Sequence, residues 1–250
     1  MAVSFLEGHD LSFAYDGRIV LEGINFSVKE KEKLCVVGEN GSGKSTFLKG
    51  LLGLKAPAGG RIIRHPGLKQ SDIGYLPQES PLQKDFPAAV FEVVLSGRQN
   101  QRGLRPFYTR ADRAAAAESL ELLGLGDLGR RCFRELSGGQ RRRVLLARSL
   151  CAAGRVLLLD EPASGLDPLV QADLYRVLEK INGELGIAIV MVSHDIEGVL
   201  RFTAPGKNGR AGKVLHLAGR QLFEGSAEDY RESELGRGFL GGRRHCGPGT

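Results

Sequence analysis

The chain has no tryptophan, only four cysteines, and no apolar run longer than residues 187–192. Each scarcity narrows the range of functions. Crossing a bilayer takes about 20 consecutive apolar residues in a helix, so a membrane role has to come through a partner. Cys35, Cys132, Cys151 and Cys246 form no Cys-x-x-Cys pair. That argues against a disulfide framework or a structural zinc site, and for reduced, cytosolic thiols. The His245-Cys246 pair, in a Gly/Arg-rich end, reads as inert toward metal. Residues 1–7 lack the basic-then-apolar order of a secretory leader. The formal net charge of +6 is modest and local, in Arg130-Arg131, Arg141-Arg142-Arg143 and Arg243-Arg244. No aromatics interleave with these clusters, so no nucleic acid is expected as a partner. Most of these arginines are expected on solvated helix faces or against acidic phosphates and partners.

What is present suffices for a sizeable core. With 42% hydrophobic and 26% charged residues among 250, the chain fits one large α/β domain or two small ones. Residues 11–15 and 24–28 alternate apolar and polar around an Asp16-Gly17 turn, predicting an antiparallel β segment. Short strands are expected at 61–63 and 73–76, with a loop beginning at Pro77-Gln78. From about 86 to 134 the pattern is helical. Val90 to Leu95 opens it, and a second helix has Thr109 as N-cap, Asp112 completing a capping box and Gly124 past its end. Continuous apolar runs at 156–159 and 187–192 predict buried parallel strands, and Pro168 after Asp167 predicts a helix start. Residues 203–213 read as a polar loop. The expected division is one domain over 1–235, with a helical insertion at about 86–134, and a Gly/Arg-rich tail over 236–250 expected to be disordered.

The chemistry begins at Gly38-Glu39-Asn40-Gly41-Ser42-Gly43-Lys44-Ser45, a complete G-x-x-x-x-G-K-[ST] pattern between an apolar run (34–37) and a helical segment starting at Thr46. Glycines let backbone N–H groups turn inward around a polyphosphate, and the following helix presents its positive end to the same anion. Lys44 can then reach the β- and γ-phosphates while the Ser45 hydroxyl ligates Mg²⁺. Asp160, ending the strand at 156–159, stands where it can hold the same Mg²⁺ through water. Glu161 can act as general base toward the attacking water. Leu136-Ser137-Gly138-Gly139-Gln140 has capping-box spacing, yet two glycines in a first helical turn are poor helix formers. They suit a place where backbone must approach a ligand closely.

That last element resembles the signature motif of ATP-binding cassette (ABC) ATPases, and the other family elements follow in order over roughly residues 5–225. The resemblance implies an α/β fold, a P-loop NTPase core of ABC ATPase type with an antiparallel β subdomain and an inserted helical subdomain. It implies Tyr15 as the aromatic stacking on adenine, and phosphate contacts from residues 38–46. Gln78 corresponds to the glutamine sensing Mg²⁺ and the attacking water. Ser137, Gly138, Gly139 and Gln140 would close over ATP bound to a second subunit, and Ser164-Gly165-Leu166-Asp167 would cross that interface. His194 corresponds to the switch histidine at the γ-phosphate, catalytic with Glu161 and Gln78. ATP and Mg²⁺ are the implied substrate and cofactor. The implied partners are a second ATPase subunit, integral membrane permease subunits and, indirectly, an extracytoplasmic solute-binding protein. The implied location is peripheral, on the cytoplasmic face of the membrane.

Residues 85–98, Tyr108 to Asp112 and Arg143 to Arg148 resemble the cassettes of zinc and manganese/iron importers. Cassettes for iron–siderophore and cobalamin uptake share the Val-Val-x-x-Gly-Arg segment, and a soluble non-transport ABC ATPase stays open beside them. The glycine-rich stretch 203–213 departs from the pattern of such cassettes. A DNA-repair or chromosome-organising ATPase would need a coiled-coil insertion, for which the roughly 90 residues between Ser45 and Ser137 leave no room.

Overall fold

The computed structural model describes residues 3–78, 87–103, 105–206 and 211–241. Asp85, Phe86, Arg243, Arg244, His245 and Cys246 lie outside the described residues, as do residues 207–210 of the expected loop. Two sheets organise the rest. The smaller has the order β2-β1-β4, made of β1 (Ser4–Tyr15), β2 (Arg18–Lys29) and β4 (Gly59–Arg64), all antiparallel. Asp16 and Gly17 turn the β1–β2 hairpin with positive φ at both positions, 48° and 77°. That geometry matches the twist of paired strands. Both strands run longer than the alternation at 11–15 and 24–28 indicates, because β1 pairs on both edges from Leu6 onward.

The larger sheet adds β3 (Lys33–Val37), β5 (Ile73–Leu76), β6 (Val156–Asp160), β7 (Ala188–Val192), β8 (Lys213–Leu217) and β9 (Gln221–Ser226), in the order β5-β6-β7-β3-β8-β9. All neighbours are parallel except β8–β9. Successive side chains of a strand face opposite sides, and here each side is a core. Leu34 and Val36 of β3 point into one cluster with Phe13, Phe26 and Phe47, while Cys35 and Val37 point into the other with Leu146, Leu174 and Val199. A strand buried on both faces has no polar side, which is why β3, β6 and β7 read as unbroken apolar runs. The C-terminal ends of these strands lie on one edge of the sheet, where β3 runs into Gly38 and β6 ends at Asp160.

Helices cover these faces. α1 (Lys44–Leu51) ends through Gly53, φ 72°, with Leu54 N donating to the Lys49 carbonyl at 2.9 Å. Between β5 and β6 come α2 (Val90–Leu95), α3 (Gln99–Arg102), α4 (Arg110–Leu122) and α5 (Gly138–Ala152). Thr109 and Asp112 exchange the reciprocal capping bonds at the start of α4. After β6 follow α6 (Pro168–Glu184), α7 (Ile196–Thr203), α8 (Ala227–Glu232) and α9 (Glu234–Gly241). The bond from Gly212 N to the Thr203 carbonyl, 2.7 Å, draws the ends of the 203–213 stretch together.

Residues Glu234–Gly241 form α9, where Ser233 accepts from Gly236 N at 2.9 Å and Leu235, Phe239 and Leu240 pack on the core; the rest of the expected tail, 242–250, lies outside the described residues. The apolar residues of this short helix sit among glycines and arginines, so composition hides their spacing. In the arginine run 141–143 the middle residue is buried. Arg142 is 2% exposed, because one helical face in α5 turns inward onto the β6 end.

Candidate nucleotide site

A cavity of about 920 Å³ opens at the C-terminal edge of β3 and β6. Gly38, Glu39, Asn40, Gly41, Gly43, Lys44, Ser45 and Thr46 line one side, and Gln78, Glu161, Ser164 and His194 line the other. Ser42 is tucked behind, its Oγ buried without a hydrogen-bond partner. Glycine is required twice here by space as well as by φ. A Cβ on Gly38 (φ 148°) would lie 2.1 Å from the Leu217 carbonyl oxygen, and one on Gly43 (φ 95°) 2.4 Å from the Leu21 side chain.

The α1 N-cap is Gly43, which offers no side-chain cap, so the first-turn amides face the cavity without intrahelical carbonyl partners. Lys44 Nζ folds over the loop, donating to the Gly38 and Glu39 carbonyls at 2.8 and 2.7 Å. Burial lowers its pKa, opposed by the charges of Glu161 and Asp160.

Asp160 is 4% exposed, and among the described residues its Oδ1 has no hydrogen-bond partner. Burial raises its pKa above the ordinary carboxylate range, against a hydrogen bond from Ser45; the neighbouring Glu161 charge pushes it further up. A buried acceptor of this kind is costly unless a ligand satisfies it. Glu161 has φ 49°, a left-handed conformation rare for a side-chain-bearing residue. Its amide donates to the Val192 carbonyl at 3.0 Å. Its Oε2 lies 3.3 Å from His194 Nδ1, with the Glu161 side chain 13% and the His194 side chain 52% exposed. Sequence reasoning missed the residue that fixes this turn. Arg142 donates through Nε to the Pro162 carbonyl at 2.9 Å, and through Nη2 to the Glu161 carbonyl.

Ser137, Gly138, Gly139 and Gln140 are not among the cavity's lining residues. They form the cap of α5: Ser137 N donates to Gln140 Oε1 at 3.0 Å, and Gln140 N to Ser137 Oγ at 3.3 Å. Among the described residues, a Cβ on Gly138 would meet nothing within 4 Å, so none of them requires glycine there. Asp167 caps α6, accepting from Leu169 N and Val170 N at 3.0 and 3.1 Å. Leu169 is 82% exposed. Tyr15, 39% exposed at the hairpin tip, does not line the cavity, and Lys55 Nζ sits 4.2 Å above its ring. Val20 and Phe239 do line it; no motif marks either one.

A glycine-rich loop between a buried strand and a helix, facing an acidic pair at the end of a strand two places away in the same sheet, defines a phosphate-loop nucleotide hydrolase. The family model described as ABC transporter matches residues 21–164, more than half of the chain. The chain belongs to the ABC transporter family and is one of its ATPases. It is 37% identical to a zinc import ATP-binding protein, ZnuC, of Ruegeria pomeroyi, over 96% of this chain and 86% of that protein. To a ZnuC 2 of Hahella chejuensis it is 41% identical, over 84% and 78%. Among solved structures it is similar to an ABC transporter described as metal-chelate type, in an inward-facing conformation. That match has TM-score 0.81 and 29% identity, and covers 96% of this chain and 90% of that one.

Proposed function

We propose that the chain is the ATPase subunit of an importer for a transition metal ion, zinc or manganese/iron, acting through separate membrane permease subunits. The chemistry rests on one observation: the buried, unpartnered Asp160 oxygen beside Ser45, with Glu161 and His194 across the cavity. The cargo class rests on relatives named zinc import ATP-binding proteins. Among the described residues no helix is long and apolar enough to cross a membrane, so the path for the ion belongs to a partner, and the chain sits peripherally on the membrane's cytoplasmic face.

Ser45 and Asp160 are hard oxygen donors in one polar corner, a set that suits Mg²⁺ held partly through water. When bound, the ion neutralises phosphate charge. Lys44 and the loop amides hold the phosphates, and Gln78 reports on the attacking water from the cavity's edge. Glu161 takes the proton of that water, and His194 orients it against the γ-phosphate. Ser137, Gly138, Gly139 and Gln140 complete the site of a second copy, since Gly138 leaves room for an approaching ligand. Tyr15 offers its free face to adenine. ATP thus contacts two subunits, and its binding favours the closed pair.

A second reading, uptake of a chelated metal such as an iron–siderophore or cobalamin, is favoured by the likeness to the metal-chelate type transporter. Growth and metal uptake of a strain lacking the chain, under separate zinc, manganese and iron limitation, separates the two. A defect cured by one free metal supports the proposal. A defect cured only by a chelate supports the second reading, and no defect under any condition contradicts both.

A further inference from the structure

The cavity has an apolar corner as well as its polar walls. Ile196 and Phe239 line it, and Phe239 comes from α9, beyond every motif of the family. Its placement is built rather than incidental. The Phe239 ring meets the His216 ring edge-on, centroids 4.6 Å apart at 67°. His216, with no exposed surface, lies opposite Val37 in the β3–β8 register, one residue before the phosphate loop. Its Nδ1 pairs with the Tyr230 hydroxyl at 2.8 Å, and Tyr230 of α8 is itself fully buried. The same strand end touches the loop directly: Gly219 N donates to the Ser42 carbonyl at 3.2 Å, and the Leu217 carbonyl fills the space beside Gly38.

We propose that Phe239 is a positioning residue for ATP, the cavity end of a Tyr230–His216–Phe239 ring cluster by which the C-terminal helix α9 walls the phosphate cavity and sets nucleotide affinity. An apolar wall beside the phosphates keeps water out and strengthens the attraction of Lys44 and the loop amides for them. Leu235 shares the helix and the core packing but not the cavity, so it separates a wall from mere scaffolding. This inference rests on reading the cavity as the ATP site.

The test is calorimetric titration of Mg²⁺-ATP into the full chain carrying Phe239→Ala, Phe239→Leu, Leu235→Ala or Lys44→Ala, with thermal melts alongside. The proposal expects about fivefold weaker binding in F239A, less weakening in F239L, and affinity within about twofold of native in L235A. Native affinity in F239A overturns it, as does equal weakening in F239A and L235A. Should F239A fail to fold, F239L against L235A decides by the same criterion. Native affinity in K44A would instead overturn the reading of the cavity as the ATP site. Loss in K44A with none in F239A overturns the wall alone.

Discussion

Arg142 Nε donates to the Pro162 carbonyl at 2.9 Å, so the helix that opens at the Ser137 cap is fastened to the turn that carries Glu161. One side chain thereby links the α5 cap, proposed to face a second copy, with the residue proposed to activate the water. Replacing Arg142 by Ala takes the donor from the Pro162 carbonyl and leaves the Glu161 carbonyl with Ser164 N, at a cost on the order of 2 kcal/mol. Chemical denaturation should register that loss. ATP turnover should fall further than nucleotide affinity, because the loop from Gly38 to Lys44 is untouched; an equal loss in both would break the link.

Gly138 gives a sharper separation. Its absent side chain faces open space in this chain, so Gly138→Ala should leave monomer stability unchanged or raise it by up to about 1 kcal/mol. Turnover should nonetheless drop at least about tenfold, because the added methyl meets the ATP held by the second copy. Normal turnover in this variant would remove residues 137–140 from the shared site.

Lys44→Ala should weaken ATP binding at least about tenfold, roughly 1.4 kcal/mol, since Nζ already hangs over the loop on two carbonyls. Equilibrium titration reads this directly, and unchanged affinity would exclude the lysine from the phosphates.

His216 makes stability depend on pH. Burial, helped by the Lys44 charge, brings its pKa down from 6.5 to about 4. Between those values the unfolded chain binds the proton and the folded one does not, so stability is complete above pH 6.5 and falls as the pH drops toward 4. The full loss is up to about 3 kcal/mol. Denaturant midpoints at pH 7, 5.5 and 4.5 should decline in that order, and His216→Phe should flatten the trend.

Much of this was legible because the physics is local. The phosphate loop needs its glycines in fixed order, the β3, β6 and β7 runs need two buried faces, and the Thr109–Asp112 box announces itself by spacing. Residues that act across sequence were invisible. Arg142 looks like its neighbours Arg141 and Arg143 until the fold turns one helical face inward, and Phe239 lines the cavity because α9 packs back on the core beside His216. The cargo is illegible for a related reason. In the segment that resembles metal importers, a Cβ on Gly97 would lie 2.3 Å from the Arg148 carbonyl oxygen, and Arg98 pairs with Asp112 at 3.1 Å. Those residues hold α4 and α5 to the segment after α2, a packing role that names no cargo.

The central assignment is Glu161 as the base that activates water. Turnover and sedimentation of the purified chain with Glu161→Gln, in the presence of ATP and Mg²⁺, test it most directly. The account predicts retained ATP binding, a fall in turnover of at least about a hundredfold, and accumulation of an ATP-bound dimer. Hydrolysis at the native rate would contradict it.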